Sequence, residues 1–326
     1  MASVIASLLS KESSWLSDLP EDVRRQHASF LAAATSDNTR NTYQAAVRHF
    51  LNWGGHLPSD ENTVIHYLVD FSGKLSARTL ALRLTALSQW HRYQGFADPC
   101  RTPEVRKLLS GIGRVHAKPP KKAYPLSVSE LQIILDALAQ QDDIKAIRDS
   151  AILQLGFYGA FRRSELAAMQ ADWLQWGPQG VLIELPRSKT DQSGEGIRKA
   201  IPWSGQASCP AQALKRWLDV TGIRESYLFR GINQWGQVAQ KGLNPASINL
   251  ILNEAAGRAG IQIAGRLSSH SLRRGLATSA YRAGADFRDI KKQGGWRHDA
   301  TVQGYIDEAG LFDENAAKAL YGAKRR

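Results

Sequence analysis

The segment that decides the fold lies near the C-terminus. It reads His270-Ser271-Leu272-Arg273, continues with Gly294-Gly295-Trp296 and reaches Tyr305 nine residues later. We expect a helix to begin after Leu267-Ser268-Ser269, so that its first turn carries a histidine and an arginine three positions apart. Residues at that spacing share one side of a helix, and a helix N-terminus favours an anion. The segment therefore predicts an anion site that includes imidazole, guanidinium, indole and phenol groups.

A second arginine stands upstream, in Gly159-Ala160-Phe161-Arg162-Arg163-Ser164-Glu165-Leu166. A guanidinium presents a planar fork that matches two phosphate oxygens, and it keeps its charge. Arg162 is well placed to be this arginine, and Glu165, three residues on, is expected on the same helical face, where it could orient the arginine. Two arginines that bind a phosphate, a histidine that moves a proton and a phenol that attacks phosphorus fit phosphoryl transfer to a tyrosine.

Neighbouring residues compete for these positions. Arg163 and Arg274 are adjacent to the two chosen arginines, His298 is close to Trp296, and Tyr321 is a second candidate nucleophile. The side chain of an adjacent helical residue points in another direction, which disfavours the two neighbouring arginines. The spacing to Tyr305 favours Trp296 over His298. Tyr321 falls on the apolar side of an expected last helix, which suits packing better than catalysis.

The chain is strongly basic. Its 326 residues include 42 Lys plus Arg against 30 Asp plus Glu, which gives a formal net charge of +12 and a pI near 9.8. A surplus of this size favours a polyanionic partner, and nucleic acid is the commonest one. On charge alone, an ordinary basic protein is about as good an interpretation.

The sequence argues against metal, secretion and a membrane. Cys100 and Cys209 are far apart and lack metal-ligand spacing, which indicates free thiols in a reducing compartment. No His/Cys cluster suits zinc and no set of carboxylates suits a two-metal nuclease, so we expect neither metal nor cofactor. The N-terminus lacks the basic region and cleavage site of a signal peptide, and no apolar run approaches the roughly 20 residues of a membrane span. We therefore expect a cytoplasmic protein.

The length suits two domains, here joined by a linker. Residues 1–115 are expected to be helical, and 126–326 form the second domain. The first expected helix of this domain starts at Thr39 and is capped by Asn38 or Thr39. The others cover 61–73, Ser76 to Gly95 and Pro103 to Arg114. Residues 116–125 place three prolines among three lysines, a composition that cannot continue a helix and disfavours burial.

Two basic groups are candidates for DNA binding. The linker lysines Lys118, Lys121 and Lys122 could follow the phosphates of duplex DNA as an extended strap. The third helix carries three further candidates for reading bases: Arg78, Arg83 and Arg92. In both groups, plain solvated surface charge is the competing interpretation.

The second domain is predicted to be helical apart from one hairpin. Val181–Leu185 and Ile197–Ile201 fit two short strands, and their polar connection, Arg187–Gly196, contains Lys189. The expected helices are Ser127 to Gln141, Asp143 to Ala160, Pro210 to Asp219, Asn244 to Ala259, His270 to Ala283, Phe287 to Gln293 and Phe312 to Lys324.

In the order and spacing of these motifs the chain resembles tyrosine site-specific recombinases of the Cre and phage-integrase type. The Gly-Ala-Phe-Arg-Arg-Ser-Glu-Leu segment is similar to the usual Thr-Gly-Leu-Arg-x-x-Glu-Leu of that family. The resemblance implies a mainly α fold with a small β-hairpin or sheet. It consists of a helical N-terminal core-binding domain and an α/β catalytic domain that grip opposite faces of duplex DNA.

The resemblance also implies a role for each site residue. Arg162 and Arg273 would clamp the scissile phosphate, and Lys189 would protonate the leaving 5′ oxygen. The remaining roles are orientation by Glu165, proton transfer or phosphate binding by His270, hydrogen-bond donation by Trp296 and nucleophilic attack by Tyr305.

The activity implied is site-specific recombination through a 3′-phosphotyrosyl intermediate and a Holliday junction, by a homotetramer on two DNA sites. An accessory protein is compatible with it, and so are integration, excision and resolution of multimers or cointegrates. Two alternatives stay open. A type IB topoisomerase would share the chemistry, and a DNA-binding module that has lost catalysis would share the architecture.

Overall fold

The computed structural model of the chain describes residues 20–119, 121–141, 143–186, 196–206, 208–263, 265–310 and 317. The chain divides into two compact units, of which the first ends at Pro120 and the second starts at Lys121. This division lies inside the basic stretch 116–125. No helix of the described part is long and apolar enough to cross a membrane.

The first unit is helical over residues 20–119. Its elements are α1 (Glu21–Ala33), α2 (Asp37–Trp53), α3 (Glu61–Asp70), α4 (Ala77–Gln94) and α5 (Pro103–Val115), with a 3-10 turn at Pro99–Arg101. Phe50 and Tyr67 are fully buried in its core with Leu80 and Leu87, and the two aromatic rings meet edge to face. The prediction of a helical first part is confirmed, although α3 ends at Asp70, three residues before its expected end at Gly73.

Side-chain caps fix where these helices begin. Ser76 caps α4, and its hydroxyl accepts a hydrogen bond from the backbone N–H of Thr79. The prediction that Asn38 or Thr39 caps α2 is wrong. The cap is Ser36, whose hydroxyl accepts from the N–H of Thr39 at 3.3 Å, so the helix already includes both predicted residues.

The second unit contains the strands and the remaining helices. The helices are α6 (Val128–Ala139), α7 (Ile144–Tyr158), α8 (Arg163–Ala168), α9 (Pro210–Thr221), α10 (Ser247–Arg258), α11 (Ser269–Arg282), α12 (Phe287–Gly294) and α13 (Asp299–Gly310). The strands are β1 (Leu174–Gly177), β2 (Gly180–Leu185), β3 (Ile197–Pro202), β4 (Arg230–Ile232) and β5 (Val238–Gly242). The expected helix over Phe312 to Lys324 lies outside the described residues, apart from residue 317.

The predicted hairpin exists and belongs to a three-stranded antiparallel sheet. β2 is its central strand, and Leu185 at the end of β2 pairs with Ile197 at the start of β3. Val181, Ile183 and Leu185 are buried on one face, as the period of two predicts. β1 and the β4–β5 pair were not predicted, because β4 has only three residues and because β1 and β5 are short, mostly exposed and without an alternating apolar pattern.

The core of the second unit surrounds α7. Ala151, Ile152, Leu153 and Leu155 are all buried, so this helix is covered on every side. A smaller apolar cluster joins α11, α12 and α13 and includes Ala277, Ile290, Trp296, Val302 and Ile306. Helix α11, which carries the motif arginine, therefore packs next to the helix that carries the motif tyrosine.

One glycine permits the close approach of α11 to the start of the second unit. A Cβ atom at Gly275 would lie 2.1 Å from the carbonyl oxygen of Leu126 and 2.7 Å from the ring of Phe157. We predict that Gly275→Ala lowers the free energy of unfolding by roughly 1–3 kcal/mol, because the added methyl group would clash with the backbone of Leu126, which cannot move away as a side chain can.

The matched control for this prediction is Gly304→Ala in α13. A Cβ there meets no atom of the described residues within 4 Å, and alanine favours a helix by about 0.5–1 kcal/mol over glycine. Denaturant unfolding of both variants measures the difference. Equal stabilities would contradict the packing described for α11.

Candidate active site

Arg162 stands immediately before α8, with an extended backbone, rather than inside a helix. Its Nη1 donates to Oε1 of Glu165 at 2.6 Å, and its backbone N–H donates to Oε2 of the same carboxylate at 2.8 Å. The expected contact between the two residues thus forms by helix-cap geometry, and not because both occupy one helical face. Since Glu165 is buried, these two charge-assisted bonds fix the direction of the guanidinium.

The turn before α8 contributes its backbone to the site. Ala160 has a φ of 45°, in the left-handed region that residues with a Cβ rarely adopt. Its carbonyl oxygen accepts a hydrogen bond from Nη1 of Arg273. The turn therefore connects Arg162, before α8, to Arg273 in the second turn of α11.

Arg273 is a buried cation that contacts neutral groups. Its side chain is 4% exposed, Nη2 donates to the carbonyl of Gly294 at 3.0 Å, and the guanidinium carbon lies 5.0 Å from the ring centroid of Trp296. Burial, and after it the charge of Arg162, lowers the pKa of Arg273 to about 10. The group is still cationic at neutral pH, and an anion beside it would restore the electrostatic energy that burial costs.

Trp296 connects this cation to the motif tyrosine. The indole is 8% exposed and its ring centroid lies 5.8 Å from that of Tyr305, in an edge-to-face arrangement with an interplanar angle of 68°. Tyr305 itself is partly exposed on α13. The structure thus brings five of the predicted residues together. Arg162 contacts Glu165, Arg273 contacts Trp296, and Trp296 contacts Tyr305. The turn at Ala160 links the two groups.

His270 and Lys189 are the remaining predicted site residues. His270 is exposed in the first turn of α11, one turn before the buried Arg273. Lys189 lies outside the described residues. The rival arginines also have other surroundings: Arg163 is exposed at the start of α8, whereas Arg274 is buried and donates to Glu308.

The sequence matches known proteins over nearly its whole length. A model of the phage integrase family matches residues 125–310. An integrase/recombinase XerD homolog from Selenomonas ruminantium is 34% identical over 300 residues, covering 89% of this chain and 87% of that protein.

The chain belongs to the phage integrase family.

Other relatives agree with this assignment. A tyrosine recombinase XerC from Alcanivorax borkumensis is 26% identical over 302 residues, covering 89% of each protein. Among solved structures, a lambda integrase tetramer bound to a Holliday junction has a TM-score of 0.61 at 16% identity, covering 94% of this chain and 81% of that one. The predicted fold class and the enzyme class, a tyrosine recombinase, are therefore confirmed.

Lys199 is a residue of this integrase site that sequence reasoning missed. It is 4% exposed on β3, and its Nζ donates to the carbonyl of Gly159 at 2.7 Å and that of Ala160 at 3.5 Å. The ammonium also lies 4.7 Å from the ring centroid of Phe161. A usable signal existed, because the period of two in β3 places Lys199 on the same inward face as Ile201.

The environment of Lys199 changes its ionisation. Burial lowers its pKa from 10.5 to about 7; the charges of Arg273 and Arg162 also lower it, whereas Glu165 opposes the shift. A protonated Lys199 therefore places a third positive charge close to the two guanidiniums. It holds the Gly159–Ala160 turn from the side of the sheet.

The candidate DNA-binding residues of the chain differ in their surroundings. Arg78 and Arg92 are exposed on α4, at positions that share one side of the helix. Arg83 is half-buried, donates to the Tyr67 hydroxyl at 2.8 Å and lies over an aromatic ring, so the first unit itself uses its guanidinium. In the linker, Lys118 and Lys121 are exposed, whereas Lys122 donates to Glu308.

We predict that the stability contribution of Lys199 depends on pH. Its pKa is about 7 in the folded chain and 10.5 when unfolded, so the unfolded chain binds more protons between these values. Stability then rises with pH in this window. The wild type should gain stability relative to Lys199→Met from about pH 7 to pH 9.

Denaturant unfolding at several pH values measures this difference. Lys215→Met, which replaces an exposed lysine on α9, reports the effect of changing a surface lysine. A difference between wild type and Lys199→Met that stays constant across the window would contradict the prediction.

Proposed function

We propose that this tyrosine recombinase performs site-specific DNA recombination with Arg162, Arg273 and Tyr305 as its central catalytic groups. The observation that carries the proposal is the buried guanidinium of Arg273. It contacts two backbone carbonyls and the face of Trp296, and Trp296 contacts the phenol. A phosphodiester in this place would meet two fixed cations and the nucleophile together.

The proposed chemistry conserves the phosphoester. The phenolic oxygen of Tyr305 attacks phosphorus, a tyrosyl O–P bond forms and the bond from phosphorus to the 5′ oxygen breaks. The phenolic proton passes to a base, for which His270 is the candidate, and Lys189 gives a proton to the leaving oxygen. The products are a 3′-phosphotyrosyl link and a free 5′ hydroxyl, which can attack in reverse and reseal the strand without ATP.

The arginines supply the stabilisation of negative charge. Arg162 is oriented by Glu165, and Arg273 is oriented by the carbonyls of Ala160 and Gly294. Because each orienting contact exists before the phosphate arrives, little reorganisation accompanies charge development on the non-bridging oxygens. The indole N–H of Trp296 adds a donor that cannot shuttle protons.

The proposed partner is duplex DNA that carries a specific recombination site. A homotetramer on two sites would exchange strands in two rounds through a Holliday junction. The net charge of +12 and the exposed Arg78, Arg92, Lys118 and Lys121 suit contacts to DNA phosphates. A cytoplasmic location is part of the proposal, and it is supported by a substrate of this kind and by the two free, buried cysteines.

Covalent trapping tests the nucleophile. DNA from the native genetic neighbourhood is incubated with wild type, Tyr305→Phe and Tyr321→Phe, denatured, and mapped for protein-linked 3′ ends. We expect adducts with wild type and with Tyr321→Phe, and none with Tyr305→Phe. An adduct that survives in Tyr305→Phe would overturn the assignment. Relaxation of plasmid that lacks any specific site would instead indicate a topoisomerase.

The arginine assignment predicts an asymmetry between neighbours. Arg162→Ala should slow adduct formation about a hundredfold to a thousandfold, because a preorganised donor to the phosphate is lost. Arg163→Ala, which removes an exposed charge one residue away, should stay within about threefold of wild type. Single-turnover cleavage at saturating protein measures both rates. Equal defects would contradict the choice of Arg162.

A further inference from the structure

Arg274 contacts two residues of the helix that carries the proposed nucleophile. Its side chain is 4% exposed, Nη2 donates to Oε2 of Glu308, and the guanidinium carbon lies 5.2 Å from the ring centroid of Tyr305. Tyr305 and Glu308 are three residues apart on α13 and so share one face of it. A single guanidinium from α11 therefore contacts that face at two points.

Glu308 is the group that balances the buried charge. Nε of Arg274 has no hydrogen-bond partner among the described residues, and burial lowers the pKa of this arginine. A largely desolvated cation depends on its counter-ion, so loss of the carboxylate would leave it uncompensated. The other oxygen of Glu308 accepts from Lys122, but that lysine is mostly exposed and such pairs contribute little.

Asp299, the first residue of α13, forms an ion pair with Lys291 of α12, but its carboxylate is mostly exposed and such pairs contribute little. The other contacts of α13 to its neighbours are mainly apolar. Val302 and Ile306 are buried in the cluster that joins α13 to α11 and α12. Apolar burial is non-directional, so it holds the helix against its neighbours without fixing its rotation about its own axis. The ion pair between Arg274 and Glu308 is directional and can supply that constraint.

Resting on the proposed role of Tyr305 as nucleophile, we propose that Arg274 and Glu308 are positioning residues. Their ion pair sets the rotation of α13 and so aims the phenol. Arg273, one position earlier on α11, is the proposed phosphate ligand. Two adjacent arginines of one helix would therefore have different roles: Arg273 binds the phosphate and Arg274 positions the tyrosine.

The test compares Glu308→Gln with Asp307→Asn. Both remove one carboxylate charge from α13, but Asp307 is exposed and accepts from Gln303, four residues earlier on the same helix. Adduct formation is measured in single turnover at saturating protein, with DNA affinity measured separately. We expect Glu308→Gln to slow the covalent step about tenfold to a hundredfold, since small misplacement of a nucleophile has effects of that size. Its Kd for DNA should stay within about twofold of wild type.

Hydrogen exchange supplies a readout that does not depend on activity. Amides of 299–310 should exchange faster in free Glu308→Gln than in free Asp307→Asn, because only the first variant replaces the charged partner of Arg274 with a neutral amide and so weakens the contact to α11. The Arg274→Ala variant should show the same increase, again with little change in Kd.

The outcomes separate this inference from the proposed function. Wild-type rates for Glu308→Gln, or equal exchange in the two variants, would overturn the positioning role. If Arg274→Ala weakens DNA binding as much as it slows cleavage, then Arg274 binds phosphate instead and the inference fails. If wild type forms no adduct with any DNA tested, the proposed function fails, and exchange still decides whether the pair holds α13.

Discussion

The guanidinium of Arg273 must remain charged inside the protein, and the surrounding backbone is arranged to meet that constraint. Its hydrogen bonds go to the carbonyls of Ala160 and Gly294, and its face lies against Trp296. Gly294 is the last residue of α12, where the helix dipole presents partial negative charge to a cation. These contacts hold the cation in place and leave its full charge available to an anion.

The same constraint explains the turn before α8. Ala160 adopts a left-handed conformation, and its carbonyl then accepts from Arg273 while Lys199 holds Gly159 from the sheet. The turn leads directly into Arg162, so the two guanidiniums are positioned through one segment of backbone. Backbone strain of this kind, of order 1–3 kcal/mol, persists only where the surroundings over-determine it.

Sequence reasoning found the parts of the site that local spacing encodes. The strands around Leu185 follow from strand periodicity. Arg273 and the interval from Trp296 to Tyr305 were found through the order and spacing of motifs that resemble those of tyrosine recombinases. Contacts that join distant segments were not accessible, because one sequence contains no record of which side chains meet. Lys199 beneath Ala160 and Arg274 with Glu308 are of that kind. Arg162 was expected within a helix, although its contact to Glu165 comes from a cap, whose geometry depends on where the helix begins.

The measurement that tests the central claim most directly is mass spectrometry of the covalent adduct. Trypsin cleaves after Arg297 and Lys318, which places Tyr305 and Tyr321 on different peptides. After nuclease digestion, our account predicts that a nucleotide 3′-phosphate is attached to the peptide 298–318, at Tyr305. Attachment to the peptide that contains Tyr321, or to any other residue, would contradict it.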